Sequence, residues 1–320
     1  MASTTDVELT LASGGRGRGR SAAWKKIKRS RFLYLLLLAP VLWYVVFAYL
    51  PMVGVLIAFQ DFSLYKGVFH SDWTGFDHFK RALTDAGFWA VFRNTIILGT
   101  VTFVFGFPAP ILLALLFNEL RDGLFKKAVQ TISYLPYFVS VVAIVNIAMI
   151  MLSPSTGVVN GFLKLIGLHE IYFIIEPGWF RPLYVLINLW VGTGWTSIIY
   201  LAAMSSIDTQ LYDAAKVDGA SRLRQIRHVT LPGIAPTITI LLLISLPSIV
   251  ATNFEMVLLL QQPITYSTSD VVGTYIYRHG ILNSEFDYTT AATVIFSIIS
   301  LAIIFASNRI ARKFGETSLW

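Results

Sequence analysis

Six stretches of this chain, at about 33–59, 94–117, 130–152, 183–205, 237–260 and 289–307, stay apolar over the roughly 20 residues that a helix needs to cross a bilayer. No other feature restricts the fold as strongly. In hydrocarbon every backbone N–H and C=O must be satisfied within the protein, so runs of this length read as helices. The expected fold class is all-α integral membrane, with six transmembrane helices. Composition agrees: 55% of residues are hydrophobic and 13% charged, where a soluble domain carries roughly 25% charged residues. Pro40 and Pro51 interrupt the first run, and a kink is expected there.

Charge placement orients these spans. With the N-terminus in the cytoplasm, the inner segments hold 18 Lys and Arg and the outer segments 7, as the positive-inside rule requires. Both termini are then cytoplasmic. Residues 1–30, with the tract GGRGRGR, read as a disordered basic tail near anionic lipid headgroups rather than a nucleic-acid binder. Residues 31–320 form the membrane domain. The first apolar run is too long for a cleaved leader, and no small-residue cleavage site follows it.

Two outer loops, HSDWTGFDHFKRAL from His70 and GVVNGFLKLIGL from Gly157, mix aromatic and apolar residues with polar ones, as short helices lying on a membrane do. His70 and His78 have no third ligand at helical spacing, so no metal site is expected. Cysteine is absent, which excludes disulfides and thiolate sites. No catalytic constellation stands out among the acids and histidines.

The connection between the fourth and fifth runs, YDAAKVDGASRLRQIRHVTLPGIAP, is longer than a crossing needs. Leu211, Ala214, Ala215 and Asp218 share one helix face. Gly219 suits a left-handed helix end, Ser221 can cap a second short helix, and Pro232 and Pro236 return the chain to the bilayer. Ala214, Ala215, Gly219 and Ala220 are small enough for another protein to approach closely.

The stretch resembles the signature loop of ABC importer permeases, the EAA loop. Asp213-Ala214-Ala215 is followed by three residues and Gly219, then by nine residues and Val229-Thr230-Leu231-Pro232. Asp218-Gly219-Ala220 is the form usual in the carbohydrate branch. Asp213 stands where the family has Glu, one methylene longer. SSIDTQLYDAAKVDGAS and the later NFEMVLLLQQP and SDVVGTYIYRHGI are similar to the first permease subunit of oligosaccharide importers, and the resemblance covers about residues 30 to 320.

The resemblance implies an ABC importer type I permease fold with a cytoplasmic coupling helix in the 209–236 loop. Asp213, Ala214, Ala215, Asp218, Gly219, Ala220, Leu231 and Pro232 would couple it to a separate ATPase. This chain has no GxxxxGK[ST], so ATP and Mg would be held by that partner, and the chain would be neither an enzyme nor a cofactor carrier. The further partners implied are a second homologous permease, an extracytoplasmic solute-binding protein, an oligosaccharide and membrane lipid, with no nucleic acid. The location implied is a bacterial cytoplasmic membrane.

A sugar path needs polar side chains and aromatic faces within the spans. Counting back from the loop, Asn188, Gly192 and Trp195 match family contact positions, and Asn253 matches by its pairing with Phe254. Thr252 and Glu255 complete the expected path, Glu255 because an ionisable group in a span is costly. A packing reading stands beside this one, since Asn, Ser and Thr bond neighbouring helices and Gly permits close approach. Asn146 is expected to be such helix–helix glue. If the sugar is acidic, such as an alginate or other uronate fragment, Arg181, Arg278 and His279 are the outer basic residues that could face it; otherwise they are solvated loop charges. Two alternatives remain: an ion-coupled secondary transporter, which would need mid-span charge pairs and an internal repeat, and an ABC permease for a non-sugar solute.

Overall fold

The computed structural model describes residues 30–314. The expected basic tail lies outside them apart from Ser30. The chain forms two compact units, Met1–Leu56 and Ile57–Trp320. The described part of the first holds helix α1 (Arg31–Tyr44), a π turn at Val45–Tyr49 and the start of a tighter 3₁₀ stretch, Leu50–Phe59, whose last three residues belong to the second unit. The change of pitch falls between Pro40 and Pro51. A proline supplies no N–H and crowds the carbonyl four residues back, so the helix rewinds beside it.

The second unit opens with an antiparallel pair, β1 (Gln60–Asp61) and β2 (Asp72–Trp73). The outer helix expected from His70 begins only at Asp77, as α2 (Asp77–Thr84), because residues before it are used in that strand. There follow α3 (Ala86–Gly106), α4 (Pro108–Glu119), α5 (Leu124–Tyr134), α6 (Val141–Met151), α7 (Val158–Leu165) and α8 (Pro177–Ser205). Then come α9 (Thr209–Val217), α10 (Arg222–Gln225), α11 (Leu231–Ser245), α12 (Phe254–Leu260), α13 (Tyr266–Ser269), α14 (Val272–Ile276) and α15 (Phe286–Phe314). Helix starts follow side-chain chemistry: the carboxylate of Asp85 accepts the Gly87 N–H at 2.8 Å, and the hydroxyl of Ser140 accepts that of Ala143 at 3.3 Å.

Five helical stretches are long and apolar enough to cross a membrane, and a sixth is obtained if one bent pair counts as a span. Three expected spans change shape. The second extends over Ala86–Glu119 with a junction at Phe107, just before Pro108. The third is no straight rod: Leu124–Phe138 and Val141–Met151 meet at 107°. The fifth, expected at 237–260, runs from Arg222 to Ile249, and the chain resumes helix only at Phe254. The amide of Asn146, expected to be interhelical glue, donates to the Val142 carbonyl one turn back in its own helix at 2.9 Å.

α8 is the spine of this unit. Its first half packs Phe180, Tyr184 and Ile187 against Leu98 of α3, Ile144 of α6 and Met256 of α12. Its second half packs Tyr200 and Met204 against Ala114 of α4 and Ile234 of α11. The interruption after α11 lies hard against α3. A Cβ on Gly99 would stand 2.0 Å from the Ile249 carbonyl oxygen, so only glycine lets these backbones meet.

Candidate functional site

The loop after α8 is built as a rigid corner. Asp208 caps α9 by accepting the Gln210 N–H at 2.9 Å. The helix stops at Gly219, whose φ is +74°. The N–H of Ala220 donates to the Ala215 carbonyl at 2.9 Å and that of Gly219 to Lys216 at 3.0 Å, the paired closure of a glycine-terminated helix. Ser221 is extended as a cap residue should be, but its hydroxyl makes no capping bond.

The expected second short helix is instead the start of the fifth span. α10 continues through a π turn at Ile226–Thr230 into α11, so Leu231 and Pro232 lie inside one long helix and not at an exit from it. The wide turn sits immediately before Pro232, where it makes room for the ring. Two bonds fasten the corner to the spans. The hydroxyls of Tyr212 and buried Thr230 lie 2.9 Å apart, and Arg222 donates to Glu119 at the end of α4 at 2.7 Å.

Asp213, Ala214, Asp218 and Gly219 are exposed, while Ala215 and Ala220 are half-buried. Asp213 is paired with Lys216 at 2.9 Å on the surface, an ion pair weak enough to exchange for another partner. Leu211 and Leu223 are also exposed. The corner thus presents small residues, apolar points and exchangeable charge on a stiff frame.

A cavity of about 310 Å³ lies between α3, α8 and α11. Asn188, Gly192 and Thr193 line it from α8, Thr102 and Phe103 from α3, and Ser245 from α11. A Cβ on Gly192 would meet nothing within 4 Å, so the glycine widens the space. The amide of Asn188 donates to the Tyr184 carbonyl at 2.8 Å and lies 3.2 Å from the Met256 sulfur. The Thr102 hydroxyl is enclosed and has no hydrogen-bond partner among the described residues. Phe103 stacks on Phe107, also in the wall, at 5.8 Å. Hydroxyls beside aromatic faces are what a sugar's O–H and C–H surfaces require.

The six expected path residues separate into three places. Asn188 and Gly192 line the cavity. Trp195 does not; its ring stacks on Tyr137 at 4.8 Å and meets Phe138 edge-on at 5.2 Å, at the bend between α5 and α6. Thr252, Asn253 and Glu255 stand at the interruption between α11 and α12. There the side chain of Asn253 caps α12 by accepting the Met256 N–H at 3.0 Å, and its backbone N–H donates to the Tyr184 hydroxyl at 2.9 Å. Thr252 is half-buried and Glu255 exposed.

The three basic residues also differ. Arg278 is neutralised by Asp270, with one contact at 3.2 Å, and lies over the Tyr266 ring at 4.5 Å. His279 meets Glu285 at 3.3 Å. Arg181 donates to Asn94 at 3.0 Å and has no carboxylate partner among the described residues. Near α2, the Asp85 carboxylate receives the hydroxyls of Tyr275 and Tyr288, each at 2.6 Å. Burial works against its charge, but these bonds and the backbone N–H groups of Gly87 and Phe88 outweigh it and hold the carboxyl below the usual range. Burial, then the Asp85 carboxylate, pushes the Tyr275 hydroxyl well above the ordinary phenol value.

Residues 106–316 match the profile of the family described as "Binding-protein-dependent transport system inner membrane component". The chain belongs to that family. The permease is 40% identical over 303 residues to Protein LplB of Bacillus subtilis (strain 168), covering 94% of this chain and 95% of LplB. It is equally 40% identical over 295 residues to the polygalacturonan/rhamnogalacturonan transport system permease protein YteP of the same organism, covering 92% of each. A chain of a bacterial alginate ABC transporter, solved in complex with an alginate pentasaccharide-bound periplasmic protein, superposes with a TM-score of 0.84 at 44% identity, over 92% of the permease and 99% of that chain. The permease is therefore a membrane subunit of a binding-protein-dependent transporter, not an enzyme.

Sequence reasoning missed the α3 wall of the cavity. Thr102, Phe103 and Phe107 sit in TFVFGFPAP, where one hydroxyl and two aromatics four residues apart precede a proline pair. That pattern marks one helix face at a kink. It does not say that the face meets α8 and not lipid.

Proposed function

We propose that the permease forms half of the translocation path of an ATP-driven importer for oligosaccharides derived from a polysaccharide. The cavity between α3, α8 and α11 carries this reading, because it joins the polar side chains of Asn188, Thr193 and Ser245 to the Phe103–Phe107 face. The likeness to YteP, a polygalacturonan/rhamnogalacturonan transport permease, and to the alginate transporter supports the saccharide class.

In this reading the exposed corner at 209–236 docks on one ATPase of a dimer. Asp213, Ala214, Ala215, Asp218, Gly219 and Ala220 face that partner, while Leu231 and Pro232 carry its movement into the fifth span. A dimer offers two docking clefts and this chain one loop, so a second homologous permease supplies the other half. An extracytoplasmic binding protein delivers the sugar, and ATP and Mg are held by the ATPase. The chain is a multi-pass protein of a bacterial cytoplasmic membrane with both termini inside and residues 1–30 as a basic tail, as its Lys and Arg distribution favours.

The experiment is gentle extraction of the tagged chain from its native membrane. Recovery of a second six-span permease and a Walker-motif ATPase is the expected result, followed by sugar uptake when the set is reconstituted. A chain that purifies alone and imports a solute without ATP overturns the proposal.

A further inference from the structure

We propose that Arg181, with Arg93 beside it, forms a carboxylate-receiving station in the outer part of the path, so that the sugar carried is an acidic one. This rests on the oligosaccharide reading above and adds the charge of the cargo and the residues that read it.

Three observations carry it. First, Arg181 is a half-buried cation without an acid. Of the five N–H donors of a guanidinium, one goes to Asn94, and the Nε–H is enclosed with no partner among the described residues. Arg278 and Arg81 are paired with Asp270 and Glu285, so Arg181 differs from those two arginines. Such a group is costly and persists at functional sites.

Second, it is held in place by a built support. Asn94 is 1% exposed. Its amide nitrogen donates to the carbonyls of Ser267 and Asp270, each at 3.1 Å, which turns its oxygen toward Arg181. Asp270 in turn anchors Arg278. Arg93, adjacent to Asn94, is exposed, has no ion pair among the described residues, and lies near enough for its charge to act on Arg181. The like charge of Arg93 adds to the attraction of Arg181 for an anion. A planar carboxylate matches the fork of a fixed guanidinium.

Third, the position is right. Arg181, Asn188 and Gly192 are spaced i, i+7 and i+11 on α8, within about 20° of one line along the helix. Seven residues rise about 10 Å, so Arg181 stands about that far from the cavity wall that Asn188 and Gly192 form. A sugar chain reaching the cavity along α8 passes the guanidinium.

The test uses the complete transporter with its binding protein in proteoliposomes. The probes are trigalacturonate, trimannuronate and the carboxyl-reduced form of each, every one supplied at a concentration shown by calorimetry to saturate the binding protein. The wild type is expected to carry an acidic trimer in preference to its reduced form. Arg181→Gln, which removes the charge and keeps a polar side chain, lowers the acidic-to-neutral uptake ratio at least tenfold, Arg181→Lys restores part of it, and Arg93→Gln lowers it about threefold. Arg93 makes no side-chain hydrogen bond or ion pair among the described residues, so its variant remains informative if Arg181→Gln expresses poorly. Equal loss of both sugars in Arg181→Gln, or an unchanged ratio in both Gln variants, overturns the assignment. Wild-type uptake of the reduced sugar alone leaves the oligosaccharide reading standing and removes the carboxylate station. Uptake of neither sugar beside ATP-driven import of another solute removes both.

Discussion

Gly219 offers the sharpest test of the corner between α9 and α10. Its φ of +74° lies in the left-handed region, and a Cβ added there meets nothing within 4 Å. Substitution therefore adds no collision, and the whole cost is conformational. For an L-residue that cost is about 1–2 kcal/mol, which lowers the population of the closed turn by about 5–30-fold relative to its open forms. The bonds at stake are Ala220 N–H to Ala215 and Gly219 N–H to Lys216. Gly219→Ala should lose sugar transported per ATP hydrolysed by a factor within that range. Gly219→Val should lose more, because a β-branched residue is a genuine outlier at positive φ. Gly219→Asn should stay near the wild type, because Asn tolerates this region. The assay is parallel uptake and ATP hydrolysis in proteoliposomes, after size-exclusion chromatography has shown intact assembly. Normal coupling in the Val variant refutes the reasoning, and so does an Asn variant as poor as Val, since φ would then not be the governing quantity.

Gly99→Ala places a methyl 2.0 Å from the Ile249 carbonyl oxygen and is expected to destabilise the protein by about 1–3 kcal/mol, whereas Gly192→Ala, with open space around it, keeps its melting temperature and loses uptake; thermal melts beside uptake assays separate the two. Asp85 is held below its unfolded carboxyl value, so its contribution is present above that value, about 3.9, and is lost as pH falls through the folded one. Tyr275→Phe removes one bond that lowers it, so the variant should be less stable near neutral pH by about 1 kcal/mol and converge with the wild type as pH falls below the ordinary carboxyl value, as melts across a pH series would read. Asp213→Ala should leave the fold intact, since only surface Lys216 pairs with it, and should reduce retention of the ATPase on a tagged permease; unchanged retention removes the acid from the docking surface.

The apolar runs and the corner were legible because each rests on chemistry within one turn or one span. Twenty apolar residues suffice to announce a helix in lipid, and Gly219 announces its own φ. Asn188 and Gly192 came from the resemblance, as positions that match family contacts when counted back from the loop. What hydropathy could not distinguish was a straight span from a broken one, because both bury the same residue types. The 107° bend after Phe138 and the interruption after Ile249 follow from contacts made across the fold: Trp195 stacks at the first, and the Tyr184 hydroxyl takes the Asn253 N–H at the second. The side-chain oxygen of Asn253 caps α12, and Trp195 is turned toward Tyr137. Likewise, a list of arginines cannot say which have acids; Arg278 and Arg181 differ only because folding brings Asp270 to the first and Asn94 to the second. Local spacing determined where helices and the corner form. Pairing across the fold, as between Arg181 and Asn94 or Asn253 and Tyr184, depends on the packed backbone, and it decided how these polar groups are held.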